Sequence, residues 1–128
     1  SIDNDGNLKL ELIKIDNLNE IIIYHGLVHL IIILPFGKQT EFLVQAGNKK
    51  GITLLDIING ARKALRMYYK MQTKIPSETI IHNEVEYSCT HPLSGLYIDS
   101  AYFEEDTLNL YLDVMSFPDY TKEEQLPF

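Results

Sequence analysis

The chain has 128 residues, 45% of them hydrophobic and 23% charged, with a formal charge of −7, the size and balance of one ordinary globular domain that buries roughly two-thirds of the surface its unfolded form exposes. No apolar run approaches the roughly 18 residues that a membrane span requires. A single cysteine, Cys89, excludes an internal disulfide framework and leaves any zinc site to be built chiefly from histidine and carboxylate.

That cysteine usage favours a reducing setting, so a cytoplasmic location is expected, extending to the virion or host cytoplasm for a viral protein. The start shows no charged and apolar leader, and an opening Ser in place of Met is what a fragment would show. Nine of the eleven basic residues are Lys, and Ile and Asn are plentiful. AT-rich coding sequence gives this usage, which suggests a virus or a protist as the source.

Charge is unevenly spread. Residues 49 to 74 hold seven basic residues against the single acid Asp56, a net +6, while the other 4 basic and 17 acidic residues give −13. Residues 99 to 124 carry eight of those acids against one base, Lys122. The molecule is electrically bipolar.

Leu8, Leu10 and Leu12 alternate with polar neighbours in "LKLELIKID" (8 to 16), and the phase shifts at Ile13 and Ile15, which predicts a bulged strand. "DNLN" (16 to 19) has turn chemistry. "EIIIYHGLVHLIIIL" (20 to 34) is rich in β-branched residues, which favour extended backbone, and is too long for one average strand. Gly26 either bends it or forms a hairpin tip with His25. "PFGK" (35 to 38) is a turn, and "TEFLVQAG" (40 to 47) is a strand returning antiparallel to residues 29 to 34. "GNKKG" (47 to 51) then breaks the pattern.

A helix is expected over about 53 to 71. Thr53 and Asp56 have the spacing of a capping box, and a carboxylate there suits the positive end of the helix dipole. Leu54, Ile57, Ile58, Ala61, Leu65 and Tyr68 recur at three- and four-residue steps as one apolar face, with Arg62, Lys63, Arg66 and Lys70 on its flanks or far side. Gly60 in the middle costs about 1 kcal/mol of helix propensity relative to Ala, which predicts close approach of another backbone. Pro76 ends the helical region.

"ETIIHNEVEYSC" (78 to 89) alternates as one half-buried strand, with Ile81, Val85, Tyr87 and Cys89 on one face and His82, Glu84, Glu86 and Ser88 on the other. "LYIDSAYFEEDTLNLYLDVMSF" (96 to 117) reads as a hairpin turning at 104 to 106, and 118 to 128 as a polar tail. The expected architecture is a single α+β domain over 1 to 117, a mostly antiparallel sheet of about five to seven strands with the one helix on its face.

Candidate chemistry is sparse. His25 and His29 are four residues apart, which on a strand separates them by roughly 13 Å, too far to share an ion. His82, Glu84 and Glu86 would share a polar strand face. Cys89 and His91 form a nucleophile and base only if the loop after the strand brings them together and a further group orients the imidazole. "GNKKG" stands where a helix N-terminus can bind an anion but matches no phosphate-loop pattern. No catalytic set, metal or cofactor is expected.

The strand, turn and helix over 42 to 65, "FLVQAGNKKGITLLDIINGARKAL", resemble a motif of an uncharacterised fungal domain family. The likeness rests on Gly51, Ile52, Thr53, Leu54, Asp56, Ile57, Ile58 and Ala61, with Phe42 standing for the aromatic residue of the preceding strand. It implies a strand leading into an amphipathic helix and carries no activity.

The leading expectation is a non-enzymatic interaction or assembly module that binds a protein partner or itself. Its basic residues Lys49, Lys50, Arg62, Lys63, Arg66 and Lys70 would meet an acidic hairpin of a neighbouring copy. Nucleic-acid or other polyanion binding through 49 to 74 is the second reading, and a small enzyme using Cys89 and His91 the third.

Overall fold

The computed structural model describes residues 17–122; the strand expected over 8 to 16 and the "QLPF" end lie outside them. Among these described residues, nine strands and one long helix follow in the order β1 (Ile21–Ile23), β2 (Leu27–Ile33), β3 (Gln39–Gln45), β4 (Ile52–Thr53), α1 (Leu54–Lys70), β5 (Ser77–His82), β6 (Val85–Thr90), β7 (Leu96–Glu104), β8 (Asn109–Ser116) and β9 (Asp119–Lys122). A single 3₁₀ turn, Leu93–Gly95, leads into β7.

The class is α+β and the pairing mostly antiparallel, but the strands form three sheets and exceed the expected five to seven. Stretches read as continuous are divided. Residues 20 to 34 break after Ile23, and β1 pairs with β4 while β2 joins a different sheet, so no hairpin forms at His25 and Gly26. Residues 78 to 89 fold back at Asn83 and Glu84, whose φ values of 51° and 64° make a two-residue left-handed turn. Glu at the second position carries no glycine signal, which is why alternation alone suggested one strand. Part of the polar tail, Asp119–Lys122, is β9, paired with β6.

The largest sheet has the order β3-β2-β8-β7, with β2 and β8 parallel and the outer pairs antiparallel. The β2–β3 hairpin forms as its sequence predicts and turns through Gly37 at φ 78°. Alternate residues of three of its strands, Leu30 and Ile32 of β2, Val44 of β3 and Leu112 of β8, meet Ile57, Ala61 and Leu65 of α1 in the core. Leu30, Ile32 and Leu65 are wholly buried, each contributing roughly 1.5 to 3 kcal/mol of apolar burial.

α1 begins with the expected capping box: the Asp56 amide donates to Thr53 Oγ1 at 3.1 Å, and the Thr53 amide donates to Asp56 Oδ2 at 3.0 Å. Gly60 does mark a close approach, although to side chains and not to a backbone. A Cβ there would stand 2.6 Å from Val44 Cγ2, so the missing side chain lets α1 settle onto β3.

Among the described residues, α1 packs on the large sheet and not across the three-stranded sheet, β5-β6-β9. Cys89 is its one buried strand residue among those described. The β5–β6 pairing continues where the His91 amide donates to the Pro76 carbonyl at 2.8 Å, and the sheet is tied to α1 where the Tyr69 hydroxyl donates to the His91 carbonyl at 2.8 Å.

Candidate functional site

Two places on the molecule concentrate chemistry. The first is the margin of the large sheet. β3 is an edge that pairs only with β2 among the described residues, so alternate backbone N–H and C=O groups of β3 face outward. α1 runs alongside, and between them open two clefts of about 420 Å³ and 250 Å³. Phe42 lies between the two, Gly60 and Lys63 line the larger, and Ala64, Met67 and Met71 line the smaller. Leu43, Met67 and Met71 are exposed beside them.

The helical period explains which cations reach this margin. Lys63, Met67, Lys70 and Met71 recur at three- and four-residue steps and form one stripe. Arg62 and Arg66 fall on the other flank, are half-buried, and have partners of their own; Arg62 donates to Asn59 Oδ1 at 3.2 Å. Lys49 and Lys50 are exposed in the turn before β4. The four helix cations, from Arg62 to Lys70, thus span roughly 12 Å along the helix axis at 1.5 Å per residue, on two flanks of the helix.

The "GNKKG" loop has its amides in use. Asn48 Oδ1 accepts from the Lys50 and Gly51 amides at 2.8 and 3.2 Å, and the Gly47 amide donates to Asp56 Oδ2 at 3.5 Å. A carboxylate of the chain itself therefore occupies the place an anion would take.

The opposite margin is β7, which pairs only with β8 among the described residues. The hairpin expected over 96 to 117 forms, turning through 105 to 108 with Leu108 at φ 57°. It carries Asp99, Glu104, Glu105, Asp106 and Asp113 and no base. The register skips Asp99, a bulge that twists the first half of the edge and leaves Ser100 to Glu104 regularly paired. Glu105 bonds His25, and His29 lies 3.3 Å from Glu41. The two histidines thus have separate partners, although only His29 is on a strand, since His25 lies in the break between β1 and β2.

The second place is around Cys89. Cys89 of β6 stands directly across from Glu78 of β5 and from Tyr120 of β9, so the three share one row across the small sheet. His91, one residue past β6, turns its Nε2 toward that row, 3.9 Å from Cys89 Sγ and 3.4 Å from Glu78 Oε2. Its Nδ1 lies 2.6 Å from Ser116 Oγ, and its carbonyl accepts from the Tyr69 hydroxyl at 2.8 Å. Phe36 packs on the ring at 5.4 Å between centroids.

Burial, and secondarily the charge of Tyr68, pushes the Tyr69 phenol well above its ordinary value, so Tyr69 stays a donor. The charge of Cys89 is the main influence raising Tyr120.

The loop after β6 thus brings Cys89 and His91 together as the third reading requires, but Cys89 is only 5% exposed. A substrate could not reach its sulfur without displacing protein. His82, expected to share a face with Glu84 and Glu86, instead ends β5 while Glu84 sits in the turn, and no site forms there.

Glu78 and Ser116 were not identified from the sequence. A two-residue turn at Asn83 and Glu84 pairs His82 with Val85 and, counting back, Glu78 with Cys89. Recognising that turn would have revealed the first; the 25-residue separation of Ser116 from His91 leaves no local signal for the second. No family model, curated protein or solved structure matches the chain.

Proposed function

We propose that the protein is a non-enzymatic association module whose β3 margin accepts an extended acidic strand, supplied by β7 of a second copy. The observation that carries this is a pair of margins on one sheet, each paired on one side only among the described residues, with opposite chemistry: β3 beside the α1 stripe that holds Lys63 at the cleft and Lys70 further along, and the β7 hairpin carrying Asp99, Glu104, Glu105 and Asp106. Strand addition at an open edge gives main-chain hydrogen bonds, and side chains that enter a neighbouring groove give selectivity.

In such a junction Ala101 and Phe103, which share the inward face with Leu112 and Leu110, run over the clefts beside Met67 and Met71. Methionine accommodates varied apolar partners because its side chain is unbranched and polarisable. The contact is heterologous, one margin meeting the other, so it propagates into open chains unless the rotation closes.

Lys63→Glu combined with Lys70→Glu reverses the charge of the stripe at exposed positions and is expected to abolish association in sedimentation equilibrium while the circular dichroism spectrum stays unchanged. Undiminished association of that double variant would refute the reading. Arg62 and Arg66 are poorer targets, because they already have partners within the chain.

A further inference from the structure

Independently of association, we propose that Glu78, Cys89 and His91 form a binding site for a divalent cation of the zinc class, through one thiolate sulfur, one imidazole nitrogen and one carboxylate oxygen. The three donor atoms all lie within 4.8 Å of one another. Zinc bonds of about 2.3 Å to sulfur and about 2.0 to 2.2 Å to nitrogen or oxygen, spread at tetrahedral angles, place nitrogen and oxygen roughly 3.4 Å apart and sulfur and nitrogen roughly 3.6 Å apart. The observed separations are 3.4 Å for His91 to Glu78 and 3.9 Å for Cys89 to His91.

Direct hydrogen bonding accounts for these distances less well. A charge-assisted bond between imidazole and carboxylate settles near 2.7 to 2.9 Å, roughly half an ångström shorter than the gap here. The spacing suits an ion between the groups better than a proton.

The surroundings match what a metal-bound histidine requires. Its second nitrogen is engaged by Ser116 Oγ at 2.6 Å, which fixes the ring and, with Nδ1 as donor, leaves the Nε2 lone pair facing the sulfur and the carboxylate. The backbone on either side of the ring is clamped by Pro76 and Tyr69. Cys89 and His91 are each 5% exposed, whereas the Glu78 side chain is 45% exposed and gives a path for a small ion that a substrate could not follow. Binding displaces the thiol proton to solvent and involves no electron transfer. Three protein ligands leave the fourth position to water or to the Tyr120 hydroxyl, whose residue stands opposite Cys89.

The test is titration of the reduced full chain with Co²⁺, followed by Zn²⁺ displacement. Expected are one ion per chain, a sulfur-to-cobalt charge-transfer band with tetrahedral d–d bands, and loss of both on adding Zn²⁺. Cys89→Ser should remove the charge-transfer band. Glu78→Ala, at an exposed position that tolerates truncation, should weaken affinity at least tenfold, and Ser116→Ala should weaken it about 10- to 100-fold with the sulfur band retained.

No stoichiometric uptake of Co²⁺ or Zn²⁺ by calorimetry, or uptake unchanged in Glu78→Ala and Cys89→Ser, would overturn the site. Rapid alkylation of Cys89 at a rate indifferent to Zn²⁺ would also overturn it, in favour of a free reactive thiol.

Discussion

The four-stranded and three-stranded sheets are held by different forces. In the larger sheet, alternate residues of β2, β3 and β8 bury against α1, and the sheet is secured by apolar area. In β5-β6-β9 the strands are mostly exposed, Ile81 reaching 70%, and the polar ties to the body run through His91, to Tyr69 and to Ser116. Three strands without a buried apolar face have little independent stability. The chemistry-bearing side chains therefore collect where the core is thinnest, and there a metal would act as a staple.

The largest expected effect tests that contrast directly. Leu30→Ala removes a wholly buried side chain and should cost about 2 to 5 kcal/mol in urea unfolding, whereas Ile81→Ala on the small sheet should stay within about 0.5 kcal/mol. Equal losses at the two sites would break the comparison.

Gly60→Ala sharpens the account of α1 against β3. The added methyl meets Val44 Cγ2 at 2.6 Å, so overpacking of about 1 to 3 kcal/mol should outweigh a helix-propensity gain of about 1 kcal/mol. A net stabilisation would mean that the clefts beside β3 yield easily.

Tyr69→Phe removes the bond to the His91 carbonyl and should cost about 1 kcal/mol, with faster amide exchange in β5 and β6 and unchanged exchange in β2 and β8. Because the folded protein holds the Tyr69 phenol above its ordinary value of 10, the contribution of this residue is complete below that pH and is lost as pH rises past it. The variant should show a flatter alkaline limb above pH 10 than the parent.

How much of this was legible depended on the range of the signal. The capping box at Thr53 and Asp56, the apolar face through Ile57, Ala61 and Leu65, and the β2–β3 hairpin are written in residues close together, and all three form. The parallel pairing of β2 with β8 joins residues 80 apart, His29 with Asn109, and periodicity carries no trace of it. Asn83 and Glu84 take left-handed backbone without a glycine to announce it, which concealed a strand boundary. For the site, the Cys89 and His91 spacing was visible, but Glu78 depended on that concealed turn and Ser116 on tertiary packing. The basic helix was evident as charge; which of its cations reach the β3 cleft followed only from the side on which α1 meets the sheet.

Light scattering after size exclusion, run at low and at high salt on the unmodified chain, addresses the association of the two charged margins most directly. Screening shortens the reach of surface charge to about 10 Å at 0.1 M ionic strength and about 3 Å at 1 M. The account predicts a mass above that of one chain at low salt, rising with protein concentration and falling toward 14.7 kDa at high salt. A mass of one chain at every salt and protein concentration would contradict it.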